Sequence, residues 1–412
     1  MNEIGFENIK DENFTYSDGI IRYEITEDYA YVKGVMPNCN HEHIIIKGKV
    51  FDKTVIMIMK GAFKSLDYIK SIQIPKTIKF IEEDAFCDME SLEKIIVTKD
   101  NNYYSSNQGV LFNKDKSELI KYPENKQGSY KIPKSVNKIN KFAFSNVHGL
   151  TKITVPSSVK YIEDFAFSKA FNLEEIIFEP NSKLKSIGIE SFNGCCSLKK
   201  IFIPKSVLEI KGLAFSGCVN LNEIIFEDDY LNSTPPLTLQ GLMFINNSKL
   251  IKLTLPERLR EIPSGLLAFT HIETIKIPKS VEIIDDNAFN IGLKLKKIIV
   301  NEDNESFTSV DGILYDKNLK TLIKIPPCYE KEHTIPNSVT TIKEGAVSYN
   351  TKMKKIVIPL SVDNIEQRAF ANSKNIKIYS ESNHSKPTWH YMWNPNELDV
   401  IWNYKISSNF NN

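Results

Sequence analysis

VNKINKFAFSNVHGLTKITVPSS, residues 136–158, is one complete copy of a 23-residue unit, and VKYIEDFAF follows it and begins the next copy. Fixed periods of about 20 to 50 residues are typical of solenoids and other repeat architectures. Within the unit, polar residues separate apolar side chains that keep fixed places. Those places are Val136, Ile139, Ala143, Phe144, Leu150, Ile153 and Val155. Each coil is therefore predicted to have an apolar inside and a polar outside.

The end of the unit predicts a short strand. LTKITV, residues 150–155, finishes in the alternation expected of a strand with one buried face, and Pro156 removes a backbone donor and ends it. Residues 136–139 predict a second short extended piece, and residues 142–144 predict a tight turn. One coil buries too few apolar groups to offset the entropy of ordering it, so neighbouring coils must cover both of its faces.

The turn carries an Ala-Phe pair that marks each coil. With few changes the pair recurs eleven times, which predicts a mainly β repeat solenoid of about 11 coils with a cap at each end. The eleven places are Ala62-Phe63, Ala85-Phe86, Ala143-Phe144, Ala166-Phe167, Ser191-Phe192, Ala214-Phe215, Met243-Phe244, Ala268-Phe269, Ala288-Phe289, Ala346-Val347 and Ala369-Phe370.

Two insertions interrupt the period and resemble each other. YSSNQGVLFNKDKSELIKYP, residues 104–123, and TSVDGILYDKNLKTLIKIP, residues 308–326, align at a constant offset of 203 residues. The same offset relates Ala143 to Ala346, so part of the repeat array was duplicated together with its insertion. In both insertions a polar turn separates two apolar runs, which predicts a hairpin that extends one coil.

These patterns divide the chain into three parts. Residues 1–60 hold strand-like runs and are predicted to form N-terminal cap hairpins, because a first coil would otherwise expose an open edge. Residues 61–379 form the solenoid, with the insertions near 100–130 and 303–333. Residues 380–412 contain all three tryptophans and predict a closing cap, although an aromatic sugar-binding platform would use the same residues.

Composition excludes several classes of partner. With 52 basic and 51 acidic residues the formal charge is +1, which argues against binding to nucleic acid. The sequence contains no run of eighteen apolar residues, so membrane insertion is not predicted. The beginning, MNEIGFENIKDENF, has no apolar signal-peptide core, so the chain as given is expected to be cytoplasmic, with the cell surface or secretion as the alternative if the N-terminus is incomplete.

Candidate catalytic and metal sites are weak. Cys39-Asn-His41-Glu-His43 has zinc-ligand residue types, but no second ligand cluster completes a site, and a polar turn is the favoured interpretation. The six cysteines lack paired spacing and are expected to be reduced and mostly buried. We therefore predict no metal, no cofactor and no catalytic residue, and hence a protein that is not an enzyme.

The unit V-x-x-I-x-x-x-A-F-x-x-C-x-x-L-x-x-I-x-I-P-x-S, nearly complete from Val207 to Ile225, resembles the BspA-type, or Treponema-type, leucine-rich repeat. The resemblance covers nearly the whole chain. It implies a right-handed curved leucine-rich-repeat solenoid, and it implies adhesion to host or matrix proteins, as in surface proteins of this type. The strand is followed here by Pro instead of x-x-N, so no asparagine ladder is predicted.

A non-enzymatic scaffold for protein-protein interaction is the expected function, with adhesin-like binding through the parallel sheet face. The alternatives are a structural spacer without a specific partner and a carbohydrate-binding surface module. No partner is identified by the sequence, and a monomer or weak homodimer is expected.

The predicted partner-binding residues lie on the strands. One residue of each strand must point outward between two inward residues, and the apolar ones are Ile96, Ile177, Phe202, Ile225, Ile299 and Val357. Stacked coils would join three of these into a continuous strip, Ile177, Phe202 and Ile225, which is flanked by Glu174, Glu175, Lys199, Lys200, Asn222 and Glu223. An exposed apolar strip with a charged rim is typical of a protein-binding site, although β propensity alone would also place such residues in strands.

Overall fold

A computed structural model describes residues 14–227 and 235–405, and the outermost residues of both predicted caps lie outside these ranges. In the described ranges all regular structure is β and there is no helix. The chain is a mainly β solenoid, as predicted, with about 16 turns. It divides into two compact units, residues 1–198 and residues 199–412.

The number of turns is larger than the predicted 11. Turns without an Ala-Phe pair account for the difference, since the count depended on that pair. His43–Ile45 pairs in parallel with Ser71–Ile74 in the first unit, and Val400–Ile401 pairs in parallel with Lys377–Ser380 in the second. Coils at the two ends therefore join the parallel ladders although they lack the Ala-Phe pair.

The strands of the first unit are β1 (Phe14–Ser17), β2 (Ile21–Ile25), β3 (Tyr29–Val35), β4 (His43–Ile45), β5 (Lys49–Val50), β6 (Lys53–Ile58), β7 (Ser71–Ile74), β8 (Phe80–Ile81), β9 (Lys94–Val97), β10 (Tyr104–Asn107), β11 (Val110–Asn113), β12 (Glu118–Lys121), β13 (Gly128–Lys131), β14 (Lys138–Ile139), β15 (Leu150–Val155), β16 (Tyr161–Ile162), β17 (Glu175–Phe178) and β18 (Ser186–Ile187).

Two kinds of parallel ladder follow from these strands. Strands of three to six residues build one face, in the orders β4-β7-β9 and β13-β15-β17. The two-residue strands β14, β16 and β18 build another, which begins at the four-residue strand β12. Strands β1, β2 and β3 are antiparallel at the N-terminal end, and β3 then pairs in parallel with β6.

The strands of the second unit are β19 (Lys200–Ile203), β20 (Glu209–Ile210), β21 (Glu223–Phe226), β22 (Thr238–Leu239), β23 (Lys252–Leu253), β24 (Glu261–Ile262), β25 (Thr274–Ile277), β26 (Ile283–Ile284), β27 (Lys297–Val300), β28 (Phe307–Val310), β29 (Ile313–Asp316), β30 (Thr321–Lys324), β31 (His333–Thr334), β32 (Thr341–Ile342), β33 (Lys355–Ile358), β34 (Asn364–Ile365), β35 (Lys377–Ser380) and β36 (Val400–Ile401). The longer strands, together with the two-residue strands β23, β31 and β36, pair as β19-β21-β23, β25-β27 and β31-β33-β35-β36.

The interior of the coil contains the predicted residues. All seven apolar places of the unit at 136–158 are buried, β15 ends at Val155 before Pro156, and residues 142–144 form a turn. The Phe144 ring stacks on the Phe167 ring with centroids 4.7 Å apart, and Phe167 stacks on Phe192 at 5.0 Å. The recurring phenylalanine therefore builds a stacked aromatic column along the first unit.

Both insertions form the predicted hairpin and one strand more. Strands β11 and β12 are antiparallel in the first insertion, as are β29 and β30 in the second. A third strand, β10 or β28, pairs with the hairpin on its other side, and the sequence pattern did not indicate it. The hairpins join the ladders of short strands, because β12 pairs in parallel with β14 and β30 pairs in parallel with β32.

Two of the three tryptophans are core residues of the second unit. Trp389 and Trp393 are buried and contact each other edge to face, with ring centroids 5.4 Å apart. Trp393 also contacts the edge of Phe370, the last phenylalanine of the repeats, at 5.3 Å. Neither of these buried rings is available as a sugar-binding platform, and the closing cap stays a prediction.

Candidate partner-binding face

The predicted face is formed by strand residues that lie between two buried neighbours. On β19 the side chains of Ile201 and Ile203 are buried, and Phe202 between them is 41% exposed. Alternation of side chains along a strand forces this arrangement once the inner residues enter the core. The outward direction of Phe202 is therefore a consequence of the repeat pattern.

Phe202 and Ile225 are the two predicted strip residues that the structure brings together. They are direct ladder partners on β19 and β21, where neighbouring strands are about 4.8 Å apart. Ile177 is half-buried on β17 of the first unit, and its ladder partner there is Thr154. The apolar strip shown within a single unit therefore consists of Phe202 and Ile225.

Other members of the predicted outward set are exposed but have polar neighbours. Ile96 is 39% exposed beside Gln73, and Ile299 is 40% exposed beside Lys276. In both places the outward apolar residue is single, and single exposed apolar residues are common on protein surfaces. These two residues do not extend a strip.

Val357 contradicts the prediction because it is only 4% exposed. Its ladder partner on β35 is Tyr379, a large side chain that packs against Tyr404 with ring centroids 4.8 Å apart. The ammonium group of Lys355 lies over both of these tyrosine rings. Aromatic residues near the C-terminal end therefore crowd this part of the face, and no pattern within the repeat indicates that packing.

Ion pairs between neighbouring strands form the predicted charged rim. In the second unit Lys200 Nζ lies 3.0 Å from Glu223 Oε2, and Lys252 Nζ lies 4.0 Å from Glu223 Oε1. In the first unit Lys152 Nζ lies 2.7 Å from Glu175 Oε2. Exposed pairs of this kind contribute about 0 to 1 kcal/mol to stability, so the rim contributes little to folding.

The remaining predicted rim residues, Glu174, Lys199 and Asn222, are exposed. The backbone amide of Asn222 donates to the carbonyl oxygen of Lys199 at 2.9 Å, and this hydrogen bond joins their two coils. Their side chains remain accessible to a partner.

The sequence reasoning missed two strongly exposed isoleucines near the strands. Ile251 is 66% exposed and precedes Lys252 at a place that other coils fill with polar residues such as Thr151, Glu174 and Lys199. Ile45 is 64% exposed on β4, which the Ala-Phe pattern did not identify as a coil. An apolar residue at a position that is polar in other coils could have identified Ile251 as an exposed apolar residue from the sequence.

No metal-binding cluster of three His, Cys, Asp or Glu residues occurs within residues 14–227 and 235–405. In the segment with zinc-ligand residue types, residues 39–43, His43 Nδ1 lies 2.9 Å from the Ser71 hydroxyl. All six cysteines are thiols, of which Cys87, Cys195 and Cys218 are buried. The Cys195 thiol donates to the carbonyl oxygen of Phe167 at 3.2 Å, so this place in the repeat has a packing role.

The repeats match the family model of the BspA type leucine rich repeat region, in six copies, over residues 33–129, 122–234, 237–325 and 327–396. The chain belongs to this family. The match includes nearly all of both insertions and about half of the Trp-rich end, up to residue 396, so these segments are part of the family architecture.

Solved structures of leucine-rich repeat proteins are similar to this chain. One from Bacteroides ovatus has a TM-score of 0.56 and 17% identity, with 96% of this chain and 99% of that chain covered. The pneumococcal vaccine antigen PcpA has a TM-score of 0.43 and 22% identity, with 68% and 71% covered. A leucine rich cell surface protein from Faecalibacterium prausnitzii has a TM-score of 0.37 and 21% identity, with 92% and 79% covered.

The similarity to the Bacteroides ovatus protein extends over the full length of both chains and shows a shared fold. No curated protein matches the sequence. Among the described residues there is no helix with the length and apolar character needed to cross a membrane.

Proposed function

We propose that this protein is a non-enzymatic scaffold that binds a protein partner in an adhesin-like manner through the exposed face of its longer parallel strands. The observation that carries the proposal is the strip of exposed Phe202 and half-buried Ile225, which lie on adjacent strands beside the ion pairs of Glu223. Aromatic anchors within a polar rim are enriched at protein interfaces. Membership in a repeat family supports the scaffold role, since stacked repeats provide an extended binding surface.

Stability of the strands does not require apolar residues in the strip. Thr154, Gln73 and Lys276 occupy the same outward place in other coils, so a polar residue is compatible with the ladder. Phe202 is the only phenylalanine among the outward residues named for these strands. Exposure of a large aromatic ring at a place that accepts polar residues favours a contact with another molecule.

Host or matrix proteins are the partner class that we propose for this face. The test is a pull-down in which wild type is compared with the double variant Phe202→Asp, Ile225→Lys. A matched control is Leu360→Asp, which also adds a charge to an exposed apolar residue but lies in a turn. We expect wild type and the control to retain the same protein, and the double variant to lose it while its melting curve is unchanged.

Two results would contradict the proposal in different ways. Retention of the same partner by the folded double variant would show that binding occurs elsewhere on the chain. Failure of wild type to retain any protein from host and matrix extracts would favour the structural spacer.

A further inference from the structure

The duplicated segments place a cleft at the same position in each unit. Residues that line the cleft of the second unit stand 203 positions after residues that line the cleft of the first. The second cleft has a volume of about 420 Å³ and the first of about 250 Å³. Equivalent lining residues are Asp84 and Asn287, Cys87 and Asn290, Phe142 and Gly345, Ser145 and Ser348, Phe165 and Arg368, and Lys169 and Asn372.

A buried lysine from the insertion hairpin lies beneath each cleft, but its partners differ. In the first unit Lys121 Nζ lies 2.8 Å from Glu124 Oε1. Pro327 occupies the place of Glu124 in the second unit, and Lys324 Nζ donates to Asn290 Oδ1 at 2.6 Å and to the Ser348 hydroxyl at 2.9 Å. The amino group of Lys324 therefore has neutral acceptors in place of a carboxylate.

The wall of the cleft has also changed. Phe142 and Phe165 close the first cleft with stacked rings 5.2 Å apart, whereas Gly345 and Arg368 stand at these places in the second. The backbone at this place is left-handed in both, since φ is 59° at Phe142 and 64° at Gly345. Loss of the phenyl ring at Gly345 leaves the space that makes the second cleft larger.

Arg368 lines this space with a guanidinium that forms no ion pair with a described carboxylate. Within residues 14–227 and 235–405 the Arg368 guanidinium has no hydrogen bond or ion pair. Its bonds are made by the backbone, where its amide donates to the Met392 carbonyl oxygen at 2.9 Å and its carbonyl oxygen accepts from the Ala371 amide at 3.0 Å. An exposed arginine on a concave surface presents a planar fork of donors that matches a carboxylate.

The charge of the cleft lining differs between the two units. Three carboxylates, from Asp84, Asp88 and Glu190, and two lysines line the first cleft, and Glu124 balances the lysine beneath it. The second cleft is lined by one carboxylate, Glu344, and by Arg368. The charged residues that line the second cleft therefore cancel, whereas those that line the first cleft leave a net negative charge.

We propose that the cleft of the second unit binds a small ligand that carries a carboxylate, with Arg368 paired to the carboxylate and the side-chain amides of Asn287 and Asn372 bonded to its other polar groups. The volume is suitable for a ligand of monosaccharide or dipeptide size, since small-molecule sites begin at about 300 Å³. An acidic sugar and the free C-terminus of a peptide both provide this chemistry. The site is separate from the sheet face, so its failure would leave the protein-binding proposal standing.

Calorimetric titration of the full chain tests the proposal with two pairs of probes. Glucuronate is compared with glucose, and N-acetyl-glycylglycine with its C-terminal amide. We expect the acid of at least one pair to bind about tenfold or more tightly than its neutral analogue, which corresponds to about 1.4 kcal/mol. The pair that shows the preference identifies the source of the carboxylate, and equal binding of acid and neutral analogue in both pairs would overturn the proposal.

Two variants introduce residues of the first cleft at the equivalent positions of the second cleft. Arg368→Phe introduces the residue found at position 165, where the backbone has φ of 57° compared with 56° at Arg368, so the backbone accepts it. Asn287→Asp restores the carboxylate of Asp84. Each should weaken binding of the acid about tenfold, whereas Lys320→Gln, which removes an exposed lysine of the same insertion, should not. Unchanged affinity in both cleft variants would refute the assignment of this cleft.

Discussion

The rings of Phe144 and Phe167, one repeat apart, are stacked 4.7 Å apart with their planes 8° from parallel. Both side chains are fully buried. The same contact continues to Phe192 with an interplanar angle of 4°. Each phenylalanine therefore contributes to the core of its own coil and to the contact with the next coil.

Replacement of Phe144 by alanine should strongly destabilise the protein. Emptying a buried aromatic site costs about 3 to 5 kcal/mol, and the loss of stacking contacts on both sides leaves no neighbour able to fill the cavity. Thermal and urea unfolding of Phe144→Ala measure the effect. Phe202→Ala is the matched control, and we expect it to change stability by less than about 1 kcal/mol because Phe202 is exposed. Equal melting temperatures for wild type and Phe144→Ala would exclude the aromatic column as a source of stability.

Stability should rise with pH because of Lys324. Burial lowers the pKa of Lys324 from its ordinary 10.5 to about 7. Between these values the unfolded chain binds a proton that the folded chain does not, so unfolding becomes less favourable by about 1.4 kcal/mol for each pH unit. Urea unfolding between about pH 7 and pH 8.5 should show this slope.

The slope should disappear in Lys324→Met, which cannot be protonated. Lys320→Met removes an exposed lysine of the same insertion and should keep the slope of wild type. A slope that is identical in wild type and Lys324→Met would show that Lys324 keeps its charge when folded.

His333 should make the protein sensitive to acid. Its Nε2 lies 2.8 Å from the Tyr315 hydroxyl, and burial lowers the pKa of His333 to about 4. The folded state therefore resists protonation, and stability present above the ordinary pKa of 6.5 is lost as the pH falls toward 4. His333→Gln keeps an acceptor for Tyr315 without a titrating group, and we expect its unfolding free energy to fall less steeply over this range. An equal decline in both proteins would assign the acid sensitivity to carboxylates.

Melting should not depend on reductant, because all six cysteines are thiols. Burial raises the pKa of the Cys87 thiol to about 11, and the thiolate is the reactive form. Cys87 should consequently resist alkylation by iodoacetamide at neutral pH until the protein unfolds, as measured by mass spectrometry of the peptides. A large decrease in melting temperature with reductant would instead indicate a disulfide bond.

The repeat period alone determined much of the fold. An apolar residue at each of seven places in 136–158 can be buried only if coils stack, and the structure buries all seven. The 203-residue offset likewise predicted that both insertions would form related hairpins. Such inferences succeed because each depends on local spacing that is present in many copies.

Tertiary packing decided the features that occur once. Val357 has the same place in its strand as Phe202, yet Tyr379 and Tyr404 bury that part of the face. Lys121 and Lys324 occupy equivalent places in duplicated segments, but only Lys121 meets a carboxylate, because Pro327 replaces Glu124. The larger cleft at Arg368 arises from side chains of several coils that meet only after folding. A repeat pattern specifies what every coil shares, whereas the environment of one side chain depends on neighbours that are distant in the sequence.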